Sequence, residues 1–141
     1  ILYVARAETV RIMSIGLRAG SRLPAYCTSM GRVLLAALPR DTLEGYLERT
    51  PLRPRTERTI TRMEDFLETL EKVRREGVSL VDQELEIGLR SIAVPVRSRS
   101  GEVIAALNIG TQAGRVNLGV MQSQLLPRLR EAAQQLGSLL H

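Results

Sequence analysis

The amino-acid sequence predicts an α+β domain in which an antiparallel sheet is flanked by helices. Apolar runs of strand length stand before and after a helical middle segment, and two of the later runs are joined by a glycine-containing turn, as in a β-hairpin. Three segments carry apolar residues at helical spacing. The predicted order is β-β-α-α-α-β-β-β-α, and strands grouped around a helical insertion favour an antiparallel sheet.

The first part of the chain is predicted to form a strand pair and then a helix. The apolar runs LYVA and VRIMSI predict the two strands, and a loop that ends near Pro24 follows them. Thr28 or Ser29 can cap the N-terminus of the next helix, and Pro39 is predicted to end it. One face of that helix is apolar and consists of Met30, Val33, Leu34, Ala37 and Leu38.

Two further helices are predicted on either side of an irregular loop over residues 50–61. Each begins with a four-residue pattern of capping-box form, which is DTLE at residues 41–44 and TRME at residues 61–64. The second of these helices is predicted to end at Gly77, because glycine readily adopts the left-handed conformation after a helix.

Residues after Val78 change from helical to strand periodicity. A first strand is predicted there, and the runs 91–96 and 103–109 are predicted to form a hairpin. The C-terminal stretch predicts a long amphipathic helix over residues 118–140, which Pro127 either kinks or divides into two pieces.

Composition limits the class of protein. The chain has 141 residues, enough for one domain with a core, and no apolar run approaches the roughly 20 residues that cross a membrane. No signal peptide is visible, and a lone cysteine fits a reducing compartment, so we expect a cytoplasmic protein without membrane contact. The first residue is Ile1, inside an apolar run, which suggests a domain excised from a longer protein.

The net charge of +5 comes from 19 arginines and one lysine against 15 acidic residues. A basic chain can bind nucleic acid, but these arginines are mostly scattered and only four aromatic residues are available for stacking on bases. Solvated surface charge is therefore the favoured interpretation for this segment.

The sequence offers no catalytic set. The only histidine is the last residue, His141, so neither Cys27 nor Ser29 can be activated by a histidine base. A metal site is not predicted, since one cysteine and one terminal histidine do not supply the usual ligands. The acidic residues at positions 82, 84 and 86 are expected to be hydrated or to pair with Arg90. We predict neither an enzyme nor a cofactor.

The start of the first helix leaves two interpretations open. The first backbone N–H groups of a helix have no partner inside it, and with the helix dipole they attract an anion such as a carboxylate. Gly31 is expected to let a ligand approach closely. The alternative is a capped helix without a ligand.

Three spaced motifs resemble one family. TSMGRVLLA resembles the A-S-x-x-G-[RK]-x-x-L-A helix in the effector-binding domain of IclR-type transcriptional regulators. REGVSLVDQELEIGLRSIAVPV is similar to that family's G-[YF]-x-x-D-x-E-E-x-x-x-G-x-x-x-I-A-x-P-V block, and AALNIGTQAGR resembles the strand and loop that follow. Within the family, YVAR, RIMS, RLPAYCTSMGRVLLA and RTERTIT are most similar to regulators of aromatic-acid breakdown, which respond to protocatechuate or 4-hydroxybenzoate and control the β-ketoadipate pathway.

The resemblance implies a GAF-like effector-binding domain over residues 1–141 that binds a small organic acid. It also implies an N-terminal winged helix-turn-helix domain, absent from this sequence, through which alone the full-length protein would bind DNA. The family assembles as dimers and tetramers, so a homo-oligomer is implied.

The family's pocket positions can be transferred to this sequence. The helix start corresponds to Ser29, Met30 and Gly31, with Leu23 and Tyr26 as walls. Positions that hold a pocket aspartate, a cysteine and two serines in family members fall, in that order, at Val81, Ser91, Asn108 and Gly110. The apolar Val81 favours an aromatic ring over a small keto-acid.

Strand alternation supports the same placement, because it puts Ser91 and Ala93 on one face of the sheet, and likewise Asn108 and Gly110. An arginine is expected to assist in binding the carboxylate, with Arg11 and Arg6 as candidates. A sensor of glyoxylate or pyruvate and a pure oligomerisation module are the alternatives.

Overall fold

The computed structural model describes residues 1–7 and 18–140. Three helices precede a three-stranded sheet, and a broken helix follows it. The elements are α1 (Ser29–Ala36), α2 (Arg40–Arg49), α3 (Met63–Glu76), β1 (Ser79–Asp82), β2 (Leu89–Arg97), β3 (Val103–Gln112), α4 (Leu118–Val120), a π-helical turn (Met121–Leu125) and α5 (Leu126–Leu139). The predicted α+β class and the predicted sheet flanked by helices are confirmed.

The sheet is antiparallel throughout, in the order β1-β2-β3. Its register sets Val81 opposite Ser91 and Ser91 opposite Gly110, so these three residues form one row across the strands. Ala93 stands opposite Asn108 in the next row of the same face. Residues directly opposite each other in an antiparallel pair project to the same side, so the predicted sharing of one face is confirmed.

Each side of the sheet packs against a different set of helices. One face belongs to a core with α1 and α3, in which Ala93 lies close to Val33 and Phe66. The opposite face contributes Ile92, Val94 and Val96 to a core with the C-terminal helix. The α1-facing side thus carries small or polar residues where the α5-facing side carries large apolar ones.

The predicted strand pair at the start of the chain is not seen in the part that the structure describes. The run LYVA forms no regular strand there, and Leu2 makes a single antiparallel bridge with Arg22. The Tyr3 N–H donates to the Ser21 carbonyl at 3.0 Å, so this run pairs with the segment that leads into α1. The run VRIMSI, together with Arg11, lies outside the described residues.

The helix boundaries confirm some of the predicted signals. Thr28 caps α1 and accepts a hydrogen bond from the Gly31 N–H at 3.2 Å, and Gly77 ends α3 with a φ of 66°. Pro127 lies in the first turn of α5, after the π-helical turn, so it starts a second helical piece.

Both predicted capping boxes are wrong. The helix α2 begins at Arg40 after Pro39, and α3 follows Arg62, and neither N-cap residue makes a side-chain cap. The Asp41 carboxylate accepts instead from the neighbouring Thr42 N–H at 2.9 Å. The pattern failed because each helix starts one or two residues away from the position that the pattern requires.

Two glycines inside helices give a matched test of how α5 packs on the sheet. A Cβ at Gly137 would lie 2.2 Å from the Arg97 carbonyl oxygen, whereas a Cβ at Gly45 would meet only the end of the Arg49 side chain at 3.4 Å. We expect Gly137→Ala to destabilise the domain by about 1–3 kcal/mol through overpacking. Gly45→Ala should stabilise it by up to about 1 kcal/mol through helix propensity. Urea unfolding measures both, and equal effects of the two substitutions would contradict this packing.

Candidate functional site

The N-terminus of α1 meets the small-residue face of the sheet at two serines. The Ser91 hydroxyl on β2 donates to the Ser29 hydroxyl oxygen at the start of α1, with 2.8 Å between the two oxygens. Ser29 is 1% exposed and Ser91 is partly buried. Two residues that are 62 positions apart, both predicted to line the site, are therefore in direct contact.

This end of α1 has hydrogen-bond donors available. Gly31 and Arg32 donate their N–H groups to Thr28, but the N–H groups of Ser29 and Met30 find no acceptor among the described residues. The Ser29 hydroxyl accepts from Ser91 and so keeps its own hydrogen for a further acceptor. Three donors at the positive end of a helix can bind an anion such as a carboxylate, and we call this position the seat.

The sheet beside this seat is lined by small and polar side chains. Val81 is buried in the row with Ser91 and Gly110, and Gly110 is exposed. Asn108 is partly buried and lies beside the Tyr3 hydroxyl. The face therefore offers apolar surface at one position and amide or hydroxyl groups at others.

Tyr3 is a residue near this face that sequence reasoning missed. Burial raises the pKa of the Tyr3 hydroxyl, while the nearby Arg6 charge and the hydrogen bond with Asn108 oppose that rise. The sequence gives no sign of this position because Tyr3 stands in the apolar run LYVA, which predicts a strand. Arg6, one of the two arginine candidates, is thus close to Tyr3, whereas Arg11 lies outside the described residues.

The remaining predicted side chains, of Tyr26, Leu23 and Met30, pack near the start of α1 and make no polar contact with Ser29 or Ser91. Tyr26 is 3% exposed, packs in the core shared with Phe66, and donates its hydroxyl to the Arg53 carbonyl at 2.8 Å. Leu23 and Met30 are partly buried, and Met30 packs against the same core.

Gly31 allows close contact between two parts of the chain. A Cβ at this position would lie 2.1 Å from the Ala25 carbonyl oxygen and 2.5 Å from the Thr28 hydroxyl. The space beside Gly31 that was expected to admit a ligand is thus occupied by the segment leading into α1. The glycine fixes how the helix N-terminus is held.

A buried ion pair holds α1 from the other side. Both terminal nitrogens of Arg32 donate to the Glu84 carboxylate at 2.6 Å, and Arg32 is 1% exposed. The Arg32 Nε–H donates to the Tyr26 carbonyl at 2.9 Å, and the guanidinium lies 5.9 Å from the centre of the Phe66 ring. The Glu84 carboxylate also accepts from the Ile60 N–H at 3.0 Å.

The acidic group predicted on the strand divides into separate roles. Asp82 pairs with Arg90 at 2.8 Å, as predicted, and this hydrogen bond lowers the pKa of the Asp82 carboxyl. Glu84 instead enters the core with Arg32, which the sequence did not indicate because 52 residues separate the two.

Cys27 has the surroundings of a core residue. Its side chain is fully buried, and burial raises the pKa of the thiol, so the thiolate needed for nucleophilic attack is disfavoured. Over the described ranges 1–7 and 18–140, no three His, Cys, Asp or Glu side chains are grouped to hold a metal ion. In the same part of the chain no helix has the length and apolar character needed to span a membrane.

Comparison with known proteins identifies relatives over the whole chain. A family model described as the C-terminal region of the bacterial transcriptional regulator IclR matches residues 1–138. The chain is 50% identical over 137 residues to the Pca regulon regulatory protein of Pseudomonas putida, covering 96% of this chain and 47% of that protein. It is 41% identical over 137 residues to the p-hydroxybenzoate hydroxylase transcriptional activator of Acinetobacter baylyi, covering 97% of this chain and 51% of that protein.

Solved structures of transcriptional regulators also match this chain. The inducer-binding domain of a PobR double mutant from Acinetobacter, in complex with 3-hydroxybenzoic acid, has a TM-score of 0.88 and 41% identity and covers 94% of this chain and 75% of that chain. A Rhodococcus sp. RHA1 protein described as a transcriptional regulator has a TM-score of 0.92 and 49% identity, and the match covers 96% of this chain and 54% of that chain. The present chain spans about half the length of the two curated relatives above.

Because the Arg32–Glu84 pair is buried, we expect Glu84→Gln to lower the free energy of unfolding much more than a glutamate substitution at an exposed pair does. Glu84→Gln keeps the shape but leaves the Arg32 charge buried without a counter-charge, and we expect a loss of about 3–5 kcal/mol in the free energy of unfolding. Glu44→Gln removes one partner of an exposed pair with Arg40, and we expect a change within about 0.5 kcal/mol. Urea unfolding of both variants tests this, and a Glu84→Gln loss as small as that of Glu44→Gln would refute the stabilising role.

Proposed function

This chain belongs to the IclR family of bacterial transcriptional regulators, whose C-terminal region it matches, and from that premise we propose that it senses an aromatic acid. The effector belongs to the protocatechuate or 4-hydroxybenzoate class, and its binding controls DNA binding and transcription of aromatic catabolism genes by the full-length protein. The names of the relatives support this proposal, since they refer to the Pca regulon and to p-hydroxybenzoate hydroxylase, and one solved relative holds 3-hydroxybenzoic acid.

The observation that carries the proposal is the junction between Ser29 and Ser91. The ligand carboxylate binds at the N-terminus of α1, where the Ser29 and Met30 N–H groups and the Ser29 hydroxyl donate to it. Ser91 orients the Ser29 hydroxyl from the sheet side. The seat is thus built from two elements that the fold holds together.

The sheet face accounts for the rest of the ligand. Asn108 carries an amide that can donate to or accept from a ring hydroxyl, and it stands on the same face as Ser91. Val81 supplies a buried apolar wall, with Leu23 and Met30 on the helix side. Gly110 has no side chain and so adds no bulk to this face.

A small keto-acid such as glyoxylate or pyruvate is the alternative effector. It would use the same carboxylate seat, but it has no ring for the apolar wall at Val81 and no hydroxyl for Asn108. An assembly module that binds no small molecule is the other alternative. It is disfavoured because the Ser29 and Met30 N–H groups have no acceptor among the described residues.

The relatives are transcriptional regulators and not enzymes, and we propose the same for this protein. The preceding part of the full-length protein would be a winged helix-turn-helix domain, and DNA binding would reside there alone. Assembly as a dimer or tetramer in the cytoplasm completes the proposal. The effector would act by binding one arrangement of domains or subunits more tightly than another.

Binding of a panel of acids to the isolated chain tests the proposal. We expect thermal stability to rise with 4-hydroxybenzoate, protocatechuate or 3-hydroxybenzoate, by about 2.7 kcal/mol at a ligand concentration of 100 Kd. Benzoate, glyoxylate and pyruvate should give weaker or no stabilisation, since they lack the ring hydroxyl or the ring. Ser91→Ala and Asn108→Ala should each weaken binding about 10-fold, which corresponds to one hydrogen bond to a charged or buried group.

Ser123→Ala is the matched control, because Ser123 is exposed and donates to Gly119 within the C-terminal helix. Affinity unchanged in both site variants would rule out the assigned positions. Stabilisation by keto-acids alone would replace the aromatic effector with the alternative, and the absence of any stabilisation would favour the assembly module.

A further inference from the structure

A cavity of about 570 Å³ lies on the far side of the sheet from the Ser29–Ser91 seat. It is an open cavity, bordered by the β2–β3 turn, the C-terminal half of α5 and the end of α3 at Glu76. Val94 and Ala133 form part of its lining and are buried members of the α5-side core. Its volume falls within the range of small-molecule sites, which is roughly 300–1,000 Å³.

Three exposed arginines line this cavity. Arg97, Arg99 and Arg130 form no ion pair with a carboxylate among the described residues, whereas arginines 32, 58 and 90 do. Of the described lining residues, only Glu76 is acidic. Three positive charges against one negative charge leave two in excess.

Each of these arginines makes one hydrogen bond to a backbone carbonyl. Arg97 donates to the Gly101 carbonyl at 3.0 Å, Arg130 donates to the Glu76 carbonyl at 3.3 Å, and Arg99 reaches the Ser138 carbonyl at 3.5 Å. A guanidinium has five N–H donors, so most donors on each side chain stay available to a ligand. A neutral carbonyl partner does not cancel the charge of the guanidinium, so these exposed arginines keep their full charge for an anion.

We propose that this cavity is a second binding site, which takes a small organic dianion. Two acidic groups match the excess of two charges, and bidentate contact with guanidinium is the geometry that arginine favours for carboxylate. The carbon skeleton between the acidic groups would rest on Val94 and Ala133. The site is separate from the effector seat, because the seat lies on the α1-facing side of the sheet.

Calorimetric titration of the chain with succinate tests the site, with butyrate as a singly charged ligand of the same carbon number and ionic strength held constant. We expect saturable binding of succinate and at least 10-fold weaker binding of butyrate. Arg97→Gln and Arg130→Gln should each weaken succinate binding about 10-fold. Arg128→Gln, which removes an exposed arginine of α5 outside the cavity, should leave succinate binding unchanged, as should Ser91→Ala at the effector seat.

Several results would overturn the proposal. The dianion site is wrong if succinate shows no saturable binding even at 10 times the concentration at which an aromatic acid stabilises the chain. It is also wrong if Arg128→Gln weakens succinate binding as much as Arg130→Gln does. Loss of succinate binding in Ser91→Ala would place succinate at the effector seat instead. Binding of inorganic phosphate or of a short DNA duplex without binding of succinate, dependent on the same arginines, would assign the surface to another class of ligand.

Discussion

The ion pair between Arg32 and Glu84 is the interaction on which the rest of the structure depends. It joins α1 to the turn after β1, and through the Ile60 and Thr59 contacts of Glu84 it also fixes the loop before α3. Removing two charges from water costs several kcal/mol for each ion, so such a pair persists only when every charged atom is well placed. Here all three guanidinium nitrogens of Arg32 and both carboxylate oxygens of Glu84 have partners.

This constraint extends to the proposed effector seat because Arg32 lies about one turn after Ser29. A helix fixed at Arg32 cannot rotate without moving its first residues, and the close contact of Gly31 with Ala25 limits it from the other side. The Ser29–Ser91 hydrogen bond then ties the helix start to β2. The donors at the start of α1 are thus held in place, and at the proposed seat this would lower the entropy cost of binding a ligand.

Local signals in the sequence were sufficient to predict α1 with its Thr28 cap and the end of α3 at Gly77. They also predicted the hairpin, whose alternation brings Ser91 and Asn108 to one face of the sheet. These features depend on neighbouring residues, and the polypeptide backbone determines them directly. Pairings between distant residues could not be predicted, because Glu84 and Tyr3 show no local sign of contact with Arg32 and Asn108. The two capping boxes failed since a pattern of four residues does not fix where a helix begins relative to its tertiary contacts.

The most direct test of the account is a ¹⁵N–¹H correlation spectrum of the chain during titration with 4-hydroxybenzoate. If the carboxylate binds at the start of α1, the Ser29 and Met30 amide protons should move downfield as they gain an acceptor, and the Gly31 amide should move less because Thr28 already occupies it. Saturable binding with unchanged Ser29 and Met30 signals, and with the largest changes along α5, would contradict the assignment of the effector seat.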